Sequence, residues 1–384
     1  GREFQYGTYV YANLMRPPTR EAPKQLAPYI APLGYDPFHT FLDPSRYKTL
    51  SVYQDFPRET RDLIETRPGN YLLDQVRAAI EGWGKGSSNI YMRDYDPYLT
   101  YGQNMPVFRT YQLAIEIPWL KQTGVRGFVP EACANSWFAS GLNFWVRSRL
   151  YWDVKLDIKE ELTDMCKREY GPAWEPMYGF LDALSRRTVE TDEFQFSEEV
   201  LTGLYSVEFT RGLDQYLRRA EALADTPKRQ ARVRMWRLCQ QQMLKYLNVR
   251  NAELSGNYVE ASALCQDYLN YLNYIESVYL HYVDHRWYDE RTFGMYSMND
   301  TYRRLADRQN GVNGMLLTML PLQWYFKHDP KSVGVEEKWF AFEPTPAFVN
   351  NPNGQITGAD PAMPGWQLRR TSEGWQQIEA DYQG

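Results

Sequence analysis

The sequence predicts an α/β protein: a parallel strand layer, then a long helical bundle, then the opening of a β domain. Three observations carry this. Strand and helix signals alternate up to Val129, proline-poor amphipathic runs follow from Ile158 to Asp284, and prolines and glycines crowd the chain after Phe342.

Thr8 to Leu14 is rich in β-branched and aromatic residues and is stopped by Pro17 and Pro18, so a buried strand is expected, beginning as early as Tyr6. Tyr29 to Tyr35 reads as a weaker strand, broken by Pro32 and Gly34. Asn70 to Trp83 places Leu72, Leu73, Val76, Ala79 and Ile80 on one helical face, with Gly84 and Gly86 expected to end it. Asn89 to Tyr95 is the third strand, Val107 to Thr123 the helix that follows, and Val125 to Val129 a fourth strand. That fourth strand is apolar enough for burial on both faces. The order strand, strand, helix, strand, helix, strand predicts a parallel layer. An aromatic helix then runs to Trp152.

Beyond it, Ile158 to Glu169 and Ala173 to Arg187 read as helices separated by Gly171 and Pro172. Phe196 to Arg219, Lys228 to Arg250 and Tyr258 to Asp284 read as three long amphipathic helices of a bundle. The expected domains are 1–153 for the strand layer, 154–340 for the helices, 341–365 for a Pro/Gly-rich linker and 366–384 for the start of a β module.

Composition narrows the function. At 384 residues the chain exceeds the usual size of one core, and a net charge of -5 offers no basic footprint for nucleic acid. Aromatic content is 15%, with 30 Tyr and 12 Trp, and such side chains suit both sugar rings and protein interfaces. Cys133, Cys166, Cys239 and Cys265 have no metal-binding spacing, so they are either disulfide partners or buried thiols. His281 and His285 stand four apart, but no third ligand accompanies them and they read as surface residues. No metal or other cofactor is expected. No stretch has the length and apolarity of a membrane span. Gly1 lacks a preceding Met, and with a strand expected so close to it, the polypeptide reads as processed or as part of a longer one.

The chemistry concentrates where strands end. Glu131 follows the fourth strand directly, among Asn135, Trp137 and Phe138, and a carboxylate in that place suits a polar, ring-shaped substrate. Asp94 closes the third strand beside Tyr95, Tyr11 and Asn13 stand at the end of the first, and His39 lies in the segment after the second. Each has a structural alternative. Glu131 either serves the site, caps the next helix or pairs with Arg147 or Arg149. Asp94 is either a reacting group or an ion-pair partner of Arg93 or Arg126, and His39 either binds a hydroxyl or anchors its loop.

The run of Tyr11 with Pro17 and Pro18, His39 with Asp43, Trp83, Asp94 with Tyr95, Gly124, Gly127 and Glu131, Leu150, Trp152 and Asp153, then Tyr170, Gly171 and Ala173 resembles the domain of unknown function 4838 family. The likeness covers about residues 5–185. The family overlaps glycoside hydrolase family 163, whose described activity is endo-β-N-acetylglucosaminidase action on N-glycans. The resemblance implies the C-terminal half of a (β/α)8 TIM-like barrel and a glycoside hydrolase that cleaves a glycan, with a non-catalytic carbohydrate-binding or assembly protein as the alternative. Asp94 and Glu131 would then be catalytic, and His39, Tyr11, Asn13, Tyr95, Asn135 and Trp137 would bind substrate. Implied partners are an oligo- or polysaccharide or a glycoprotein glycan, and an N-terminal half-barrel from a preceding segment or another chain. Secretion, the periplasm or the cell surface is the implied location. Two departures stand out: Met92 and Arg93 replace the pattern's usual Trp, and the earlier half-barrel with its acidic, Cys-containing motif is missing.

Overall fold

The computed structural model describes residues 5–11, 15–32, 36, 38–46, 73–94, 105–130, 137–193, 200–279, 299 and 302–306, with short paired strands farther on. The fold is mixed α/β and mostly helical, with a small parallel sheet. It divides into two compact units, one of Gly1–Arg250 with Asp267–Met295 and the other of Asn251–Gln266 with Tyr296–Gly384.

In the first unit, β1 (Tyr6–Val10), β2 (Leu26–Ile30), β3 (Ile90–Met92) and β4 (Val125–Phe128) form a four-stranded sheet in sequence order, every pair parallel. Alternation gives the sheet two different faces. Val10, Ile30, Ile90, Met92 and Val125 join Leu73, Val76, Ala79, Ile80 and Trp83 of helix α1 (Leu73–Gly86) in one core. The opposite face carries a cross-strand row, Tyr9 against Tyr29 and Tyr29 stacked on Tyr91 at 5.1 Å, flanked by Gly7 and Gly127. A Cβ at Gly7 would meet the Tyr29 ring at 2.7 Å, so that ring requires the glycine.

Two expectations are corrected here. β1 is not a buried strand: Tyr6 and Tyr9 are about half exposed, because β1 is the outer strand and has one neighbour among the described residues. Gly84 does not terminate α1, which runs through it and ends at Gly86, as expected of that second glycine. A Cβ at Gly84 would lie 2.5 Å from the Thr123 carbonyl oxygen, and one at Gly82 would lie 2.2 Å from Pro17. These glycines allow close packing, and Ala22 N–H takes the carbonyl of Gly86 at the helix end.

Helix α2 (Thr110–Gln122) crosses from β3 to β4. Helices α3 (Trp137–Trp152), α4 (Ile158–Tyr170) and α5 (Trp174–Glu190) follow. Asp157 caps α4 by accepting from Lys159 and Glu160 N–H groups, and Gly171, at φ 55, closes it. A buried polar seam ties α5 to α2. Thr110 bonds Ser185 at 2.9 Å, and Thr188 donates to the Phe108 carbonyl at 2.6 Å. The strand layer and these helices therefore share one compact unit.

The long helix expected over Phe196–Arg219 is three shorter ones: α6 (Val200–Leu204), α7 (Val207–Gly212) and α8 (Asp214–Leu223). Arg187 takes the carbonyls of Gly203 and Leu204, ending α6, and Ser206 starts α7 by accepting from Phe209 N–H. Helix α9 (Pro227–Leu254) opens with proline, as a first turn tolerates, and Gly256 at φ 73 precedes α10 (Tyr258–Tyr279), whose Glu260 N–H is capped by Asn257. Cys166, Cys239 and Cys265 are free, buried thiols, and burial pushes Cys166 and Cys265 up to about 12. Cys133, His281 and His285 lie outside the described residues, as does the expected 341–365 linker.

In the second unit Tyr302 donates to Glu253 at 2.7 Å and Asn299 to Gln266 at 3.0 Å. Near the C-terminus, Trp366–Gln367 pairs antiparallel with Glu379–Ala380, and Arg370–Thr371 with Gly374–Trp375.

Candidate active site

Asp94 lies two residues beyond β3, at the C-terminal edge of the parallel sheet, and is 8% exposed. Its Oδ2 accepts from Arg147 Nη2 at 2.7 Å and lies 4.0 Å from Arg109 Nη1. Arg147 comes from α3 and Arg109 from the entry to α2. Arg109 in turn donates to both oxygens of Glu116, at 2.8 and 3.1 Å. Arg109, Arg147 and Glu116 are each at most 2% exposed, so the strand end contains a buried group of two guanidinium ions and two carboxyls.

Asn143 fixes this arrangement. Its Oδ1 accepts from the Arg109 backbone N–H and its Nδ2 donates to the Val107 carbonyl, both at 2.8 Å, which joins α3 to the segment entering α2. Burial pushes Glu116 up from the usual carboxylate range to about 7, with Arg109 pulling the other way. Tyr151, stacked on Phe128 at 4.0 Å, stands in the field of Arg147 and Asp94, and burial raises its hydroxyl so that it stays a neutral donor. In apolar surroundings such charges are stable only as a mutually satisfied set, and removing one leaves its partner buried and uncompensated.

The partners considered for Asp94 and Glu131 have their own engagements. The Arg93 guanidinium lies 5.5 Å from the centre of the Tyr9 ring, Arg126 donates to Asn89 at 3.2 Å, and Arg149 pairs with Glu161 at 2.8 Å.

His39 is built into a clasp. Its Nδ1 meets Asp36 Oδ2 at 2.6 Å and its Nε2 meets the Thr191 carbonyl at 2.8 Å. Burial lowers its pKa, but the Asp36 carboxylate and the Thr191 carbonyl outweigh that, so the net shift is upward; both partners are acceptors, which favours the protonated ring. Arg46 reinforces the same junction by pairing with Asp192 at 3.1 Å. In this arrangement both ring nitrogens serve the protein, as a loop anchor would.

Tyr11 directly follows β1, partly buried, with its hydroxyl raised by burial. Glu131, Asn13, Tyr95 and Asn135 lie outside the described residues, and Trp137 opens α3 with its side chain outside them too. The structure thus gathers Asp94 with Arg109, Arg147, Glu116 and Tyr151. Of these, Glu116, Arg109 and Tyr151 were not expected from sequence. The signal was present: Arg109 and Glu116 stand seven apart at a helix start, and Arg147 follows Val146 on the stripe that also carries Asn143 and Leu150. A charge on an apolar stripe calls for a buried partner.

Among the described residues there is no cluster of His, Cys, Asp and Glu arranged to hold a metal, and no helix is long and apolar enough to cross a membrane. No curated protein and no solved structure matches the chain. Residues 64–179, which run from ahead of α1 into α5 and contain Asp94, Arg109, Glu116 and Arg147, match the family described as Domain of unknown function (DUF4838).

Proposed function

We propose that this protein is a glycoside hydrolase-like enzyme cleaving a glycosidic bond in a glycan, with N-acetylhexosamine as a fitting component. The observation that carries the reading is Asp94: a carboxylate at the C-terminal edge of a parallel sheet, oriented by Arg147 and backed by Arg109. In barrels of alternating strands and helices, that edge is where reacting groups gather. Glycosidic cleavage passes through an oxocarbenium-like state and needs a proton donor on the leaving oxygen and a second, charged or substrate-derived group opposite. Asp94, held by an arginine, takes the charged role, either at the sugar carbon or orienting a substrate acetamide. Glu131, one strand later, takes the donor role.

The same reading treats the four parallel strands as the C-terminal half of a TIM-like barrel, followed by a helical bundle and a β module. The outer strand β1 and the tyrosine row Tyr9, Tyr29 and Tyr91 support it, since a half-exposed aromatic face suits coverage by further strands. Those strands would come from a preceding segment or another chain. A secreted, periplasmic or cell-surface location suits a glycan substrate.

The second reading is a non-catalytic carbohydrate-binding or assembly protein. What favours it is that Asp94 and Glu116 already have arginine partners, as a purely structural network would have. Release of reducing sugar from a panel of N-glycans and polysaccharides separates the two. The enzyme reading expects release by the intact protein and its loss in Asp94→Asn and Glu131→Gln. Glycan binding without release, unchanged in both variants, would establish the second reading.

A further inference from the structure

A crevice of about 500 Å³ opens among α3, α4, α5 and α9, on the other side of α3 from the charged group at the strand ends. Trp145 lines it, whereas Arg147, two residues on and therefore about 200° around the helix, points to Asp94. The two sites have no lining residue in common. The crevice wall is apolar: Leu142, Trp145, Met165, Met235 and Trp236. Trp236 uses its indole N–H on the Tyr170 hydroxyl at 2.8 Å and packs against Phe108 and Phe180, so it offers the crevice hydrocarbon only. Tyr170 accepts there and retains its own proton as a donor. Burial keeps that hydroxyl neutral.

The mouth is cationic. Arg168, Lys228 and Arg232 border it with Glu169 as the one acid among the described residues, and Glu169 is already held by Arg232 through both its carboxylate, at 2.6 Å, and its backbone carbonyl, at 2.9 Å. Arg168 and Lys228 are exposed and have no carboxylate partner among the described residues. An apolar wall beneath uncompensated cations is complementary to an anion with an apolar body.

We propose that this crevice binds an organic carboxylate with a flat aryl body. The carboxylate lies between Arg168 and Lys228, and the ring lies against Trp145 and the thioethers of Met165 and Met235, which favour aromatic contact. A saccharide fits less well. It carries hydroxyls on most of its carbons, whereas the wall supplies the Tyr170 hydroxyl and little else that is polar.

Calorimetric titration of the intact protein with naphthylacetate tests this, with neutral naphthylethanol and the sugar acid glucuronate as comparisons. Saturable one-site binding of naphthylacetate is expected, with naphthylethanol about tenfold weaker or more and glucuronate not measurable. The double variant Arg168→Glu, Lys228→Glu changes only exposed side chains and should weaken naphthylacetate by about tenfold or more. Ala231→Trp, at the exposed lining position, should abolish binding, and circular dichroism melts of both variants verify folding. Three results overturn the proposal: no saturable binding of naphthylacetate, affinity unchanged in the folded variants, or naphthylethanol or glucuronate binding as tightly as naphthylacetate.

Discussion

Asp94 and His39 both lie beyond strands of the parallel sheet, and both are buried. Their surroundings differ in kind. Asp94 is embedded in a group of charges contributed by α2, the residue entering it and α3, where Arg147 orients it, Arg109 stands 4.0 Å away and Glu116 shares that second arginine. His39 is a clasp between two segments, with one nitrogen on a neighbouring carboxylate and the other on a backbone carbonyl far along the chain. The same position beyond a strand therefore brings one residue into a buried charged group and the other into a clasp between two segments.

The contrast breaks most visibly at Arg147. Arg147→Ala leaves Asp94 buried beside one less cation and should destabilise the fold by about 3–5 kcal/mol, read from urea unfolding midpoints. A cost near zero would mean that the group is hydrated and that Asp94 does not depend on Arg147.

Glu116→Gln sharpens the same side of the comparison through pH. Because folding raises this carboxyl from 4.5 to about 7, its contribution is fully present below about pH 4.5 and is lost as pH rises through 7. The unmodified protein should therefore lose on the order of 3 kcal/mol across that window relative to the variant, in which the term is absent. Parallel stability curves for the two proteins between those pH values would contradict the burial argument.

At His39 the effect should be smaller and purely structural. His39→Leu leaves Asp36 Oδ2 and the Thr191 carbonyl without the ring donors and should cost about 1–3 kcal/mol in thermal or urea unfolding. The raised histidine pKa means this contribution is present below about pH 6.5 and fades as pH rises through the folded value, so the difference between the proteins narrows at alkaline pH. A sugar-binding role for His39 would instead appear as weakened glycan binding in a variant of unchanged stability.

Much of the sheet was legible in the sequence because strand signals are local. The β-branched and aromatic runs placed four parallel strands in the right order, with β1 and β2 each shifted a few residues toward the N-terminus. What failed depended on contacts distant in sequence. Gly84 reads as a helix stop until Thr123 is found against it, and the break after Leu204 depends on Arg187, which no local pattern supplies. The candidate site divides in the same way. Asp94 was legible because it closes a strand. Arg147 reads from sequence only as a partner for Glu131, and Arg109 and Glu116 come from the entry to α2 and from α2 itself, where pairing is fixed by packing and not by spacing along the chain.

The most direct test of the central claim, that Asp94 is a reacting carboxylate and not only a structural one, is reducing-sugar release from the glycan panel by three proteins at equal concentration. The intact protein should release sugar, Asp94→Asn should lose about a hundredfold or more of that activity while remaining folded, and the crevice variant Arg168→Glu, Lys228→Glu should retain it. Equal release by the intact protein and a folded Asp94→Asn would contradict the claim and leave Asp94 as part of the scaffold.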